Sequence, residues 1–174
     1  MQVIDTNNLS AEYKFIGKVN YSGNPGEYFL LFCKDSTLYF LNKYPATPMI
    51  IKGVSHPTHE PGYNLAQFEV PIKSLPWLID TIENKFWKKA SEGGLPGDVL
   101  HVDAIIDEED LRVRFSPNCG DEGIQGFTFE NYSRKGRSMN WQEMQIPYTL
   151  LKEDGLLDLL KNIKQKYALS SLDD

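Results

Sequence analysis

The feature that most constrains the fold of this 174-residue chain is an internal repeat of a strand–proline–helix pattern. FEVPIKSLPWLIDTIEN at 68–84 and MQIPYTLLKEDGLLDLLKN at 144–162 both pass from alternating apolar residues through a proline into an amphipathic run. Pro71 corresponds to Pro147, and Asp80 corresponds to Asp158 after a two-residue insertion. A pattern that recurs within one chain indicates two copies of one structural unit.

Each copy follows a series of runs that alternate with period two and are rich in β-branched and aromatic residues, the pattern of β-strands. In the first unit these runs predict strands near 27–33, 36–42, 48–54 and 66–72, with a helix over 74–88. In the second unit they predict strands near 98–106, 111–117, 126–132 and 140–147, with a helix over 151–167. An extra strand near 12–19 precedes the first unit.

The predicted fold class is therefore α+β, with two tandem ββββα units whose antiparallel sheets each carry one C-terminal amphipathic helix. We expect residues 1–174 to form a single compact domain, because this length suits one hydrophobic core. The units 26–88 and 97–167 are joined by the glycine-rich linker 92–97. Ser74 is the expected cap of the first helix, with Pro76 in its first turn, and Thr149 or Asp154 the expected cap of the second.

The composition limits the classes of function. The net charge of −6 and the pI near 5.1 argue against non-specific binding of duplex nucleic acid through a basic surface. No apolar run is long enough to span a membrane, and the first ten residues do not resemble a signal peptide. Two cysteines cannot build a disulfide framework, so we expect a cytoplasmic protein.

The second unit leaves one sheet face with an unusual combination of side chains. Leu111, Val113 and Phe115 share one side of a predicted strand, so Arg112 and Arg114 share the other side. Tyr132 and Trp141 lie on the polar side of the next two strands, and the connecting hairpin adds Arg134, Lys135 and Arg137. An ordinary solvated face with Arg–Glu pairs is the alternative interpretation, and Glu130 and Glu143 on this face would repel phosphates.

Aromatic rings and cations together are what single-stranded nucleic acid requires, because bases stack on rings and cations bind phosphates. The sequence therefore predicts a protein that binds single-stranded DNA or RNA without catalytic activity. The predicted binding residues are Arg112, Arg114, Tyr132, Arg134, Lys135, Arg137 and Trp141.

The tandem units also resemble a known architecture. FEVPIKSLPWLIDTIENKFW is similar to the closing strand and helix of a Whirly domain, and MQIPYTLLKEDGLLDLLKNI resembles the end of a Pur repeat. The Whirly motif of the type Lys-Gly-Lys-Ala-Ala is absent, and Arg134-Lys135-Gly136-Arg137 is its loose counterpart. The resemblance covers residues 26–167 in pattern and implies two ββββα units and single-stranded nucleic acid as ligand.

Other functions stay open at this point. The acidic balance and the Asp107–Asp110 turn favour a small protein-interaction protein, such as an immunity protein or an inhibitor of a basic partner. A homodimer through an edge strand at 12–19 or 98–106 is a further alternative, and a hydrolase using Cys119 is a third. No GxGxxG or Walker pattern is present, and His56 and His59 lack an evident third ligand, so we expect neither cofactor nor metal.

Overall fold

Our computed structural model describes residues 3–6, 8–46, 49–51, 54–56 and 62–170. Sheet 1 has the order β1-β2-β3-β6, formed by β1 (Lys14–Asn20), β2 (Tyr28–Lys34), β3 (Thr37–Pro45) and β6 (Tyr63–Pro71). Sheet 2 has the order β10-β9-β8-β7, formed by β7 (His101–Ile106), β8 (Glu109–Ser116), β9 (Gly126–Asn131) and β10 (Gln142–Pro147). All neighbouring strands in both sheets are antiparallel, so the predicted α+β class with two four-stranded sheets is confirmed.

The predicted strand at 48–54 is wrong. This region contains instead a separate two-stranded hairpin, β4 (Met49–Ile51) and β5 (Val54–His56), and β6 pairs directly with β3. Ile51 pairs with Val54 across this hairpin, and residues 48, 52 and 53 of the predicted strand lie outside the residues that the structure describes. The predicted extra strand near 12–19 is β1, the fourth strand of sheet 1, so the first unit begins well before residue 26.

The helices differ in detail from the prediction. The region 74–88 contains α1 (Leu75–Asp80) followed by a π-helical turn (Thr81–Phe86). The predicted second helix is divided into α2 (Tyr148–Lys152) and α3 (Leu156–Ser170), with Gly155 at φ +90° between them. Pro76 does lie in the first turn of α1, whereas the Ser74 hydroxyl donates to the Pro71 carbonyl at 2.7 Å and caps no helix. Short 3-10 turns occupy Ile72–Ser74 and Ala90–Glu92.

One buried apolar cluster connects the two units. The rings of Phe40 and Phe68 on sheet 1 lie 6.0 Å apart, and Phe68 lies 6.3 Å from Phe129 on sheet 2. Leu78 of α1 and Leu160 of α3 are buried in the same cluster. Each sheet therefore has an inner face toward this shared core and an outer face directed away from it.

Part of the outer face of sheet 1 is covered by the chain itself. The outer face of sheet 1 carries an apolar patch, and the segment before β1 lies across it, with Ile4 buried against Phe32 and Leu41. The Ile4 amide donates to the Gln67 side chain at 2.8 Å, which fixes the segment to β6. This cover explains how β2 and β3 can carry apolar side chains on both faces.

The edges of β6 and β10 meet at a polar junction centred on Glu69 of β6. The Glu69 amide donates to the Gln142 side chain at 2.9 Å, and the Glu69 carbonyl accepts a bond of 2.9 Å from Asn131. Asn131 and Gln142 are both buried. The Arg134 guanidinium binds the Glu69 carboxylate at 2.6 Å and the Glu109 carboxylate at 2.6 and 2.8 Å. Side chains of sheet 2 thus satisfy the edge of sheet 1 where backbone pairing stops.

We predict that Arg134→Ala destabilises the fold, because it leaves Glu69 and Glu109 as poorly hydrated carboxylates with 13% and 16% of their side chains exposed. Loss of one partner of a fully buried pair costs roughly 3–5 kcal/mol, and the partial exposure here lowers the expectation to about 2–4 kcal/mol. Urea unfolding followed by circular dichroism measures this difference. Arg137→Ala in the same hairpin is the matched control, and equal losses for both variants would contradict the proposed role of Arg134.

Candidate nucleic-acid interface

The outer face of sheet 2 brings together the four residues that the strand alternation had placed on one side. Arg112 pairs with Glu130 across β8 and β9, and Arg114 pairs with Thr128. Tyr132 continues β9, with its amide bonded to the Asp110 carbonyl at 2.9 Å, and Trp141 immediately precedes β10. We call Arg112, Arg114, Tyr132 and Trp141 the Arg–aromatic face.

The two rings of this face are neighbours. The centroids of Tyr132 and Trp141 lie 5.9 Å apart, with 37° between the ring planes. The Arg112 guanidinium lies 5.3 Å from the Tyr132 centroid, within the range of a cation–π contact. The Tyr132 hydroxyl accepts a bond from Arg112 at 3.3 Å and donates to Glu130 at 3.1 Å, so the ring is held in position. The two half-buried rings thus lie side by side on the outer face, and we call them the Tyr132–Trp141 platform.

Arg112 is already paired with a carboxylate. Its Nε and Nη2 donate to the two carboxylate oxygens of Asp103 on β7, at 2.7 and 3.1 Å. The hydrogen bond from Arg112 lowers the pKa of Asp103 and, reciprocally, the hydrogen bond to Asp103 raises the pKa of Arg112. At neutral pH this pair is therefore fully ionised and contributes no net charge to the face.

Arg114 has a similar arrangement with a less exposed partner. It donates to one oxygen of Glu130 at 2.9 and 3.3 Å, and only 5% of the Glu130 side chain is exposed while 40% of the Arg114 side chain is. Burial, and then the charge of Glu130, raise the pKa of Tyr132, so the phenol stays neutral. The arginine–carboxylate pairs considered in the sequence analysis are thus present, and they share the face with the aromatic pair.

The three cations of the hairpin between β9 and β10, Arg134, Lys135 and Arg137, lie in two different environments. Arg134 is committed to the junction with Glu69 and Glu109, and its Nη2 also lies 3.3 Å from the Thr37 hydroxyl. Those contacts remove Arg134 from the set of cations that a phosphate can use. Lys135 and Arg137 are exposed and have no ion pair within the part of the chain that the structure describes.

A second basic and aromatic surface lies on sheet 1 and was missed by the sequence analysis. Lys18 Nζ lies 4.0 Å from the Tyr28 centroid, and Lys43 Nζ lies 5.4 Å from the Tyr63 centroid. We call these four residues the Lys–Tyr surface; among the described residues, neither lysine has a carboxylate partner. Tyr28 lies in the apolar run of β2, so the residues around it did not indicate a surface position. The alternation of Lys18 with Val19, which faces the core, was the available signal.

A cleft of about 780 Å³ opens between the two units, beyond the point where the Glu69 junction ends. Apolar parts of its wall come from Ala66, Ile124, Met144 and Pro147. Among the residues that the structure describes, the charged side chains in its wall are Glu27, Asp121 and Glu143, and no lysine or arginine contributes to it. The cleft is therefore amphipathic and negatively charged.

Cys119 does not have the environment of a nucleophile. The side chain is buried, and its thiol lies 3.6 Å from the Phe127 carbonyl. Burial raises the pKa of the Cys119 thiol to about 12, whereas nucleophilic cysteines have a lowered pKa. Within the described residues no cluster of three or more His, Cys, Asp or Glu side chains is placed to hold a metal ion. His59 and Glu60 lie outside those residues.

Comparison of this chain with family models, with curated proteins and with solved structures gives no match. No described helix has both the length and the apolar character needed to cross a bilayer.

Proposed function

We propose that the protein binds single-stranded nucleic acid on the outer face of sheet 2 and that it does so without catalysis. The observation that carries this proposal is the pair of neighbouring, half-buried rings, Tyr132 and Trp141, beside two guanidinium groups on the outer face of sheet 2. Bases of any sequence stack on such rings, and this stacking contributes about 1–3 kcal/mol per base. The exposed Lys135 and Arg137 next to the rings supply contacts for the phosphates.

The pairing of the arginines makes stacking the dominant contribution. A phosphate that binds Arg112 or Arg114 has to compete with Asp103 or Glu130, which already occupy the same donors. Lys135 and Arg137 need no such exchange. Each phosphate contact to a single strand contributes about −0.7 to the slope of log affinity against log salt concentration, so two contacts give about −1.4 and four give about −2.8. We expect the smaller slope.

The stacking platform is tested by Trp141→Ala. The variant should bind a fluorescein-labelled dT20 oligonucleotide about 5- to 150-fold more weakly at low salt, corresponding to about 1–3 kcal/mol of lost stacking. Fluorescence anisotropy measures the affinity, and Trp141→Phe, which keeps a flat ring, should retain most of it. Absence of binding by the wild-type protein to single-stranded DNA and RNA at low salt would overturn the proposal.

The charged groups are tested by the salt dependence of the same titration. Asp103→Asn removes the competitor of Arg112, so affinity should rise and the slope should steepen by about 0.7. Lys135→Gln with Arg137→Gln should flatten the slope by about 1.4. The matched control is Lys18→Gln with Lys43→Gln on the Lys–Tyr surface, which changes the net charge equally. If only this control flattens the slope, the ligand binds sheet 1 and the assignment to sheet 2 is wrong.

A second candidate function, binding of a basic protein partner, is favoured by the cleft between the units. Its wall combines Glu27, Asp121 and Glu143 with apolar side chains, which suits the aliphatic stems and charged ends of lysine and arginine. The carboxylates do not converge as a metal-binding cluster, so several separate positive charges fit the cleft better than one cation does.

This second candidate predicts that a labelled peptide of alternating arginine and leucine binds, and that an alternating glutamate–leucine peptide does not. Glu27→Gln with Asp121→Asn should weaken arginine-peptide binding at least fivefold, since both substitutions remove charge from the wall. Glu92→Gln with Asp98→Asn is the control, because both residues are exposed outside the cleft. Equal weakening by both pairs would show a general charge effect and contradict a specific site.

A further inference from the structure

Within the part of the chain that the structure describes, the strand β7 is an open edge of sheet 2. It pairs with β8 on one side and is the last strand of the order β10-β9-β8-β7. The Phe115 amide donates to the Leu100 carbonyl at 2.8 Å, which marks residue 100 as bonded toward β8. Because antiparallel bonding alternates along a strand, the amides and carbonyls of His101, Asp103 and Ile105 point away from β8. Three alternate residues thus present a backbone donor and a backbone acceptor at the edge.

This edge lacks the devices that protect other strands from pairing. The outer edge strand of sheet 1, β1, carries Lys14 and Lys18 and has a bulge between Phe15 and Gly17. Leu159 of α3 also lies directly against Gly17, where an added Cβ would approach it to 3.0 Å. Charged lysines, bulges and covering elements are how proteins prevent edge-to-edge association.

The β7 edge shows the opposite character. Its register with β8 is continuous from His101 to Ile106, and its sequence HVDAII contains neither lysine nor proline. Ile105 is 79% exposed, the highest exposure among the large apolar side chains described, and Leu100 just before the strand is 53% exposed. The acid on this strand, Asp103, is neutralised by Arg112. A flat, apolar and nearly uncharged edge favours the addition of another strand.

We propose that β7 pairs antiparallel with β7 of a second copy of this chain, about a two-fold axis. A head-to-tail contact of β7 with β1 of the next copy is disfavoured, because the lysines, the bulge and α3 obstruct β1. A strand that pairs with its own copy closes the assembly at two chains and leaves no open β7 edge. With the axis at Ala104, Asp103 of one copy lies opposite Ile105 of the other, and the two Ile105 side chains are diagonal neighbours on the same face.

The dimer builds one nucleic-acid surface from two copies, an inference that rests on the proposed function. Pairing of the edges joins both second sheets into one eight-stranded sheet with a continuous outer face. Five strand spacings of about 4.8 Å separate the two β9 strands, so the Tyr132–Trp141 platforms are about 24 Å apart. A single strand long enough to reach both platforms binds them together, and two linked contacts strengthen binding well beyond either contact alone.

The oligomeric state is tested by size-exclusion chromatography with light scattering over a range of protein concentrations. The wild-type chain should give a dimer mass of about twice 19.9 kDa, and Ile105→Lys should give the monomer. Ile124→Lys is the matched control, because Ile124 is exposed in the loop before β9, and it should stay dimeric. Amide hydrogen exchange provides a second measurement: the amides of Asp103 and Ile105 should exchange more slowly as wild-type concentration rises. A monomer at every concentration, without this slowing, would overturn the proposal.

The composite surface is tested with dT4, which is too short to span about 24 Å, and with dT24, which reaches both platforms. The wild-type protein should bind dT24 at least tenfold more tightly than dT4, and Ile105→Lys should lose most of this preference while keeping its affinity for dT4. A dimer that binds neither oligonucleotide overturns the proposed function and leaves the β7 pairing standing. A dimer that binds both equally, with no change in Ile105→Lys, overturns the composite surface.

Discussion

The arrangement of the two units depends on the hydrogen bonds and ion pairs at Glu69, where the edges of β6 and β10 meet. A strand edge buried inside a protein costs free energy for every unpaired amide and carbonyl. Here Asn131 and Gln142 supply side-chain bonds to the Glu69 backbone, and Arg134 neutralises the Glu69 carboxylate. These groups come from the second unit and bind the first. The polar junction therefore fixes the position of β10 relative to β6, while the phenylalanine contacts below supply the less directional part of the packing.

That junction also determines where ligands can approach. It closes the space between the sheets at one end, and the cleft opens where its hydrogen bonds stop. It commits Arg134, which looked like a phosphate-binding residue, to a structural role. The remaining cations of the hairpin, Lys135 and Arg137, are left exposed beside the aromatic pair. In this hairpin Arg134 thus binds the two units together, and Lys135 and Arg137 present positive charge at the surface.

Much of the fold could be predicted from the sequence because it depends on local periodicity. Alternating patterns gave β2, β3 and the strands of sheet 2, and they placed Arg112, Arg114, Tyr132 and Trp141 on one face. The turn at Asp107 was visible as a polar interruption, although the positive φ of Asp107 and Glu108 was not. The membership of β1 in sheet 1 could not be predicted, because pairing of strands is set by tertiary contacts. The partners of Arg134 lie 25 and 65 residues away in the chain, a separation that no local pattern reports.

The segment that covers the outer face of sheet 1 has no counterpart among the described residues on the outer face of sheet 2. The two sheets have the same strand order, but their outer faces differ. On sheet 1 the apolar side chains of Leu30, Phe32 and Leu41 are covered by the segment of the chain before β1. At the matching positions of sheet 2, counted from Pro71 and Pro147, the chain has Arg112, Arg114 and Glu130, which are compatible with water. The segment that carries Ile4 therefore occupies, on the outer face of sheet 1, the place that the proposed nucleic acid would occupy on sheet 2.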